Sequence, residues 1–99
     1  MKRLKPEDRK LSVFEAMLPL AEIHGYTNVT RDMVGESLGI TGNAVQHHFD
    51  TMEAMREGFI EFAIRNEVLP IVAQAIAAGN KKALLAPEDL RRKALRSLM

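Results

Sequence analysis

A chain of 99 residues is about one domain's worth and can bury a modest core. With 46% hydrophobic and 27% charged residues it is composed like a folded globular protein, which excludes intrinsic disorder. It has no cysteine, which excludes disulfides and thiolate metal sites and makes a reducing compartment the simpler expectation.

The formal net charge is only +1, but the charges are segregated. Lys2, Arg3, Lys5, Arg9 and Lys10 outnumber Glu7 and Asp8 at the start, and Lys81, Lys82, Arg91, Arg92, Lys93 and Arg96 outnumber Glu88 and Asp89 at the end. The middle is acidic. This charged start lacks the apolar run of a signal peptide, and no stretch approaches the ~18 apolar residues of a membrane span, so a cytoplasmic protein is expected.

Helical periodicity dominates and nothing reads as a strand, so the fold class is all-α. The first segment runs from Pro6 to His24, with Leu11, Phe14, Leu18 and Ala21 on one face and Gly25 as C-terminal cap. Pro19 predicts a kink there, or two helices in place of one. Thr30 caps a second segment that ends near Leu38, and Gly39 permits a tight turn. Thr41 caps a third segment reaching about Phe49. Asp50 or Thr51 caps a fourth, where Met52, Met55, Phe59 and Phe62 form an apolar stripe. Pro70 starts or kinks a fifth segment holding Leu69, Val72, Ala73 and Ile76, and Gly79 with Asn80 reads as a stop. Pro87, Glu88 and Asp89 open a last helix with Leu90, Ala94 and Leu98 on one face.

The stretch from about Thr30 to Phe49 has the spacing of a helix-turn-helix, in which two short helices cross closely around a turn of about three or four residues. Gly35 lets the helices approach, and Val34, Leu38, Ile40 and Val45 are expected to point inward. Thr41, Gly42, Asn43, Gln46 and His47 are left outward, with no acidic residue between Ile40 and Phe49. A recognition helix presents such residues to base edges in the major groove, where carboxylates would be repelled by phosphates. Asn43 and Gln46 suit adenine, and His47 a guanine acceptor or a phosphate. Thr30, Arg31 and Thr51 near helix N-termini are expected on phosphates, and Lys2, Arg3 and Lys5 on phosphates or in the minor groove. Adjacent helical histidines point ~100° apart, so His47 and His48 do not read as a metal site, and no metal or other cofactor is expected.

The segment from Val13 to about Met55 resembles the N-terminal DNA-binding domain of the TetR family of repressors. The matching residues are Ala16, Leu20, Ala21, Glu22, Gly25, Tyr26, Thr30, Val34, Gly39, Ile40, Thr41, His48, Phe49, Glu53 and Ala54. The resemblance implies a three-helix head, a fourth helix leading away from it and dimerisation through C-terminal helices. It also implies that His48 packs against the first helix. Gln46 and Met52 stand where family members usually carry a tyrosine and a lysine on phosphates, and Pro19 is atypical. The chain after Met55 is shorter than the family's ligand-binding domain, so the expectation is a miniature version, like compact plasmid or phage regulators, without a small-molecule inducer.

Three regions are therefore expected: a basic arm and helix start over 1–10, the helix-turn-helix head over 11–50, and two or three dimerising helices over 51–99. A single helix-turn-helix buries little surface, whereas a two-fold dimer reads two half-sites ~34 Å apart in an inverted repeat of double-stranded DNA. Leu69, Val72, Ile76, Leu90, Leu95 and Leu98 are expected at the homodimer contact. The functional expectation is a promoter repressor; the alternative is a helical protein-interaction module or anti-regulator that has lost DNA binding. No Ser-His-Asp grouping, phosphate loop or metal-ligand spacing suggests an enzyme.

Overall fold

The computed structural model describes residues 6–98, and the regular secondary structure of the described residues is all helical. In chain order they form α1 (Pro6–His24), a 3₁₀ turn (Tyr26–Asn28), α2 (Arg31–Leu38), α3 (Gly42–Gln46), α4 (Met52–Arg65), α5 (Leu69–Ala77), α6 (Lys81–Leu84) and α7 (Glu88–Arg96). None of these helices is long and apolar enough to cross a membrane. The chain divides into two compact units, the first ending at Arg56 and the second beginning at Glu57, inside α4.

In the first unit α1 is one helix with Pro19 inside it. Proline has no N–H for the Glu15 carbonyl, yet the helix continues to His24, so Pro19 does not split it. The buried face is Val13, Phe14, Met17 and Ala21, whereas Leu11, expected inward, is exposed. Phe14 and Ala21 are buried as expected, Phe14 meeting Phe49 with ring centroids 5.5 Å apart, while Val13 and Met17 complete the face. Gly25, at φ +84°, stops α1, and its N–H donates to the Ala21 carbonyl at 2.8 Å. The segment that follows is a 3₁₀ turn. It buries Tyr26, and the Asn28 side-chain amide donates to the His24 carbonyl at 2.8 Å, satisfying one of the orphan carbonyls at the helix end.

Val29 is fully buried, and its carbonyl accepts from Arg56 Nε at 3.1 Å and Nη2 at 2.8 Å. This pairing holds the first turns of α4 to the strand-like residues ahead of α2. Charge-assisted hydrogen bonds contribute about 1.5–3 kcal/mol each, and Arg56 makes two while only half-buried, so Arg56→Ala should lower the stability of this unit by about 3 kcal/mol, the low end for the pair. Lysine, a point donor without the planar fork, should restore only part of it. Urea titrations of the three proteins check this.

In the second unit α5 packs on α6 and α7. Pro70 lies in the first turn of α5, where a missing N–H costs nothing. Gly79, at φ +77°, ends the approach to a helix the sequence did not announce. Asn80 is not only a stop: its Oδ1 accepts from the Ala83 N–H at 3.1 Å and caps α6, while its Nδ2 donates to Glu57 at 2.9 Å. Val72 and Leu90, expected at a contact between subunits, are buried within the chain because α5 and α7 pack on each other. Of the six residues expected there, Leu95 and Leu98 are exposed, at 48% and 64%, and Leu69 and Ile76 are half-buried.

Candidate nucleic-acid interface

Two capped helices and one left-handed glycine build the helix pair. Thr30 has extended backbone, and its Oγ1 accepts from the Met33 N–H at 3.3 Å, starting α2. Gly39, at φ +73° and ψ 29°, ends it, which lets the Ile40 N–H return to the Gly35 carbonyl at 2.8 Å. Thr41 then caps α3, its Oγ1 accepting from the Ala44 N–H at 3.1 Å. Gly35 is buried where the helices cross; a Cβ there would lie 2.7 Å from the Ile40 carbonyl oxygen.

α3 ends at Gln46 and does not reach Phe49. After His47 the ladder tightens: the His48 N–H donates to the Val45 carbonyl at 3.0 Å and the Phe49 N–H to the Gln46 carbonyl at 3.1 Å, both three residues back. The inner side is held by Val45 and Phe49, which are buried. On the outer side Asn43, Gln46 and His47 are exposed and together line one open depression. Thr41 is exposed at the head of α3, with its oxygen accepting the cap bond and its own O–H left to donate.

Several residues stand differently from the sequence expectation. Leu38 and Ile40 do not point inward; they are 37% and 43% exposed, because the left-handed turn at Gly39 carries the chain away from the interior. They line an open groove with Arg9, Ser12, Val13 and His48. Gly42 is half-buried and faces Asp32 so closely that an added Cβ would collide with the carboxylate. Its small size makes room for that side chain at the start of α3. Asp50 joins Asn43, Gln46 and His47 around the depression. The outer face that is free of acids along the chain therefore has carboxylates beside it in space.

Thr51 is exposed, and its Oγ1 caps α4 by accepting from the Ala54 N–H at 3.0 Å; Thr30 and Arg31 are half-buried. Lys2, Arg3 and Lys5 lie outside the described residues. The sequence reading passed over Arg9 and Lys10 as site residues. Arg9 shares the groove with His48, and the Lys10 ammonium stands 5.6 Å from the Phe49 ring centroid, within range of a cation–π contact. Partial burial first, then the positive charges of Arg9, His47 and Lys10, hold the His48 imidazole below its ordinary pKa of 6.5. The only clue to this cluster in the sequence was that Arg9 and Lys10 lie about one helical turn before the buried Val13 and Phe14. Among the described residues, no group of three or more His, Cys, Asp or Glu is placed to hold a metal ion.

Compared with known protein families, with curated proteins and with solved structures, the chain shows no match.

Proposed function

We propose that this protein is a sequence-specific, TetR-like DNA-binding regulator acting as a dimeric repressor. The observation that carries the reading is the split of the α3 segment: Val45 and Phe49 anchor it, while Asn43, Gln46 and His47 stand together and exposed. Amide and imidazole side chains on a braced helix have the donors and acceptors needed to read major-groove edges. Thr41, exposed at the head of α3, adds a hydroxyl donor to the base-reading set, and Thr51, exposed at the start of α4, adds one for a phosphate.

The mechanism is competitive. A two-fold homodimer occupies an inverted repeat overlapping a promoter and excludes RNA polymerase, in the cytoplasm. Leu95 and Leu98 supply exposed apolar surface for the subunit contact.

Selection of bound fragments from random duplex DNA tests this; a palindrome is expected among them. On the selected duplex, Gln46→Ala and His47→Ala should each cost about 1–3 kcal/mol and relax the preference at one base position. If Asn43, Gln46 and His47 all become alanine without loss of affinity, the assignment fails.

A second reading, a helical protein-interaction module, draws on Asp32 and Asp50 beside the same face, since carboxylates oppose a phosphate backbone. Salt separates the two. DNA affinity should fall steeply as salt rises, through release of condensed counterions, and an interaction module should enrich no duplex even at low salt.

A further inference from the structure

The groove beside the recognition face is lined by Arg9, Ser12 and Val13 of α1, by Leu38 and Ile40 around the Gly39 turn, and by His48. None of these residues is acidic. Lys10 stands over the Phe49 ring next in sequence to His48, and the charges acting on His48 are all positive: Arg9, His47 and Lys10. Like charges brought together repel one another, and the repulsion is relieved when an anion arrives. Its position narrows the anion. His47 lines the depression with Asn43 and Gln46, and His48 follows it immediately, so the cationic cluster lies beside the residues that would meet base edges. A duplex whose major groove receives α3 runs its sugar-phosphate backbone along the flanks of that helix.

We propose that Arg9, Lys10 and His48 form a binding site for a backbone phosphate of duplex DNA, flanking the base-reading face. The site rests on the DNA-binding reading above and adds its phosphate contact. Arg9 and Lys10 supply permanent charge, and the half-buried His48 supplies a conditional one. In the free protein His48 resists protonation, so the fold should lose stability as pH falls below 6.5, where the unfolded chain takes up the proton more readily. A phosphate oxygen beside the imidazole favours the imidazolium and raises its proton affinity. DNA binding therefore takes up a proton and tightens as pH falls. The charged groups facing His48 are Arg9 and Lys10 from α1 and His47 from its own segment; Leu38 and Ile40, the groove residues from the α2 end, carry no charge.

The test uses the full chain and a duplex that the protein itself selects from a random pool, with affinity measured at constant ionic strength between about pH 7.5 and pH 5.5. The wild type should bind more tightly as pH falls, by at most about tenfold per pH unit for each histidine that takes up a whole proton. His48→Gln, checked for folding by circular dichroism, should lose that part of the pH dependence while still binding at neutral pH. The double variant Arg9→Gln and Lys10→Gln should bind more weakly to every sequence, with its log–log salt slope reduced by about one for each phosphate it no longer neutralises. Nuclear magnetic resonance of the His48 ring should show its titration moving to higher pH on addition of duplex. The proposal is overturned if the salt slope is unchanged in the double variant, or if duplex leaves the His48 titration where it was. If Gln46→Ala still weakens binding in that case, the DNA-binding reading survives without this site. A wild type that enriches no duplex overturns both.

Discussion

Gly35→Ala should destabilise the first unit by about 1–3 kcal/mol and, on the DNA-binding reading proposed above, abolish duplex recognition out of proportion to that loss. The added methyl would meet the Ile40 carbonyl oxygen at 2.7 Å, the Thr41 carbonyl carbon at 3.0 Å and the Gly42 nitrogen at 3.2 Å. All three are backbone atoms, so no side chain can swing aside. Relief requires the turn after α2 to move outward, taking Thr41 and the start of α3 with it. Since α3 spans only Gly42–Gln46, its whole length moves with its first residue. Gly42→Ala is the control. The obstacle there is the end of the Asp32 side chain, which can rotate away, and alanine is the better helix former. Thermal melts and binding to a selected duplex should therefore separate the two glycine substitutions: Gly35→Ala loses both stability and binding, and Gly42→Ala loses little stability. A Gly35→Ala protein with wild-type melting and affinity would contradict the close crossing of α2 and α3.

Phe59→Ala should cost about 3–5 kcal/mol, the larger thermodynamic effect of the two. Phe59 is fully buried on α4 and lies against Phe62, with ring centroids 6.4 Å apart and planes 24° from parallel. Truncation removes the transfer free energy of the ring and leaves a cavity that neighbouring backbone cannot fill. Native domains have only about 5–15 kcal/mol to lose, so the variant should melt far below the wild type or be largely unfolded at physiological temperature. Phe59→Leu, which keeps most of the apolar volume, should recover much of the difference. Chemical denaturation measures both; equal midpoints for wild type and Phe59→Ala would show that the ring is not packed as described.

Helix identity was legible along most of the chain because it depends on near neighbours. Thr30, Gly39 and Thr41 carry their cap and turn roles within three or four residues, and Pro70 starts a helix wherever it stands in a first turn. The stripe of Met55, Phe59 and Phe62 announced α4 for the same reason. Even the candidate site was half visible: Asn43, Gln46 and His47 were assigned outward by setting Val34, Leu38, Ile40 and Val45 inward, and they are exposed although only Val34 and Val45 of those four are buried.

What the sequence could not supply were relations between residues distant along the chain. Nothing local says that Arg56 clasps the carbonyl of Val29, that Asp32 fills the space left by Gly42, or that Arg9 shares a groove with His48. The same limit explains Leu11, Leu38 and Ile40, which are apolar but exposed, and Val72 and Leu90, which are already buried within their own chain. Periodicity ranks the faces of one helix by composition; which face is covered depends on the partner that arrives, as Phe49 does at Phe14. Short-range backbone and capping energies determined where helices begin and end, and only side-chain packing between them decided which surfaces were left to meet another molecule.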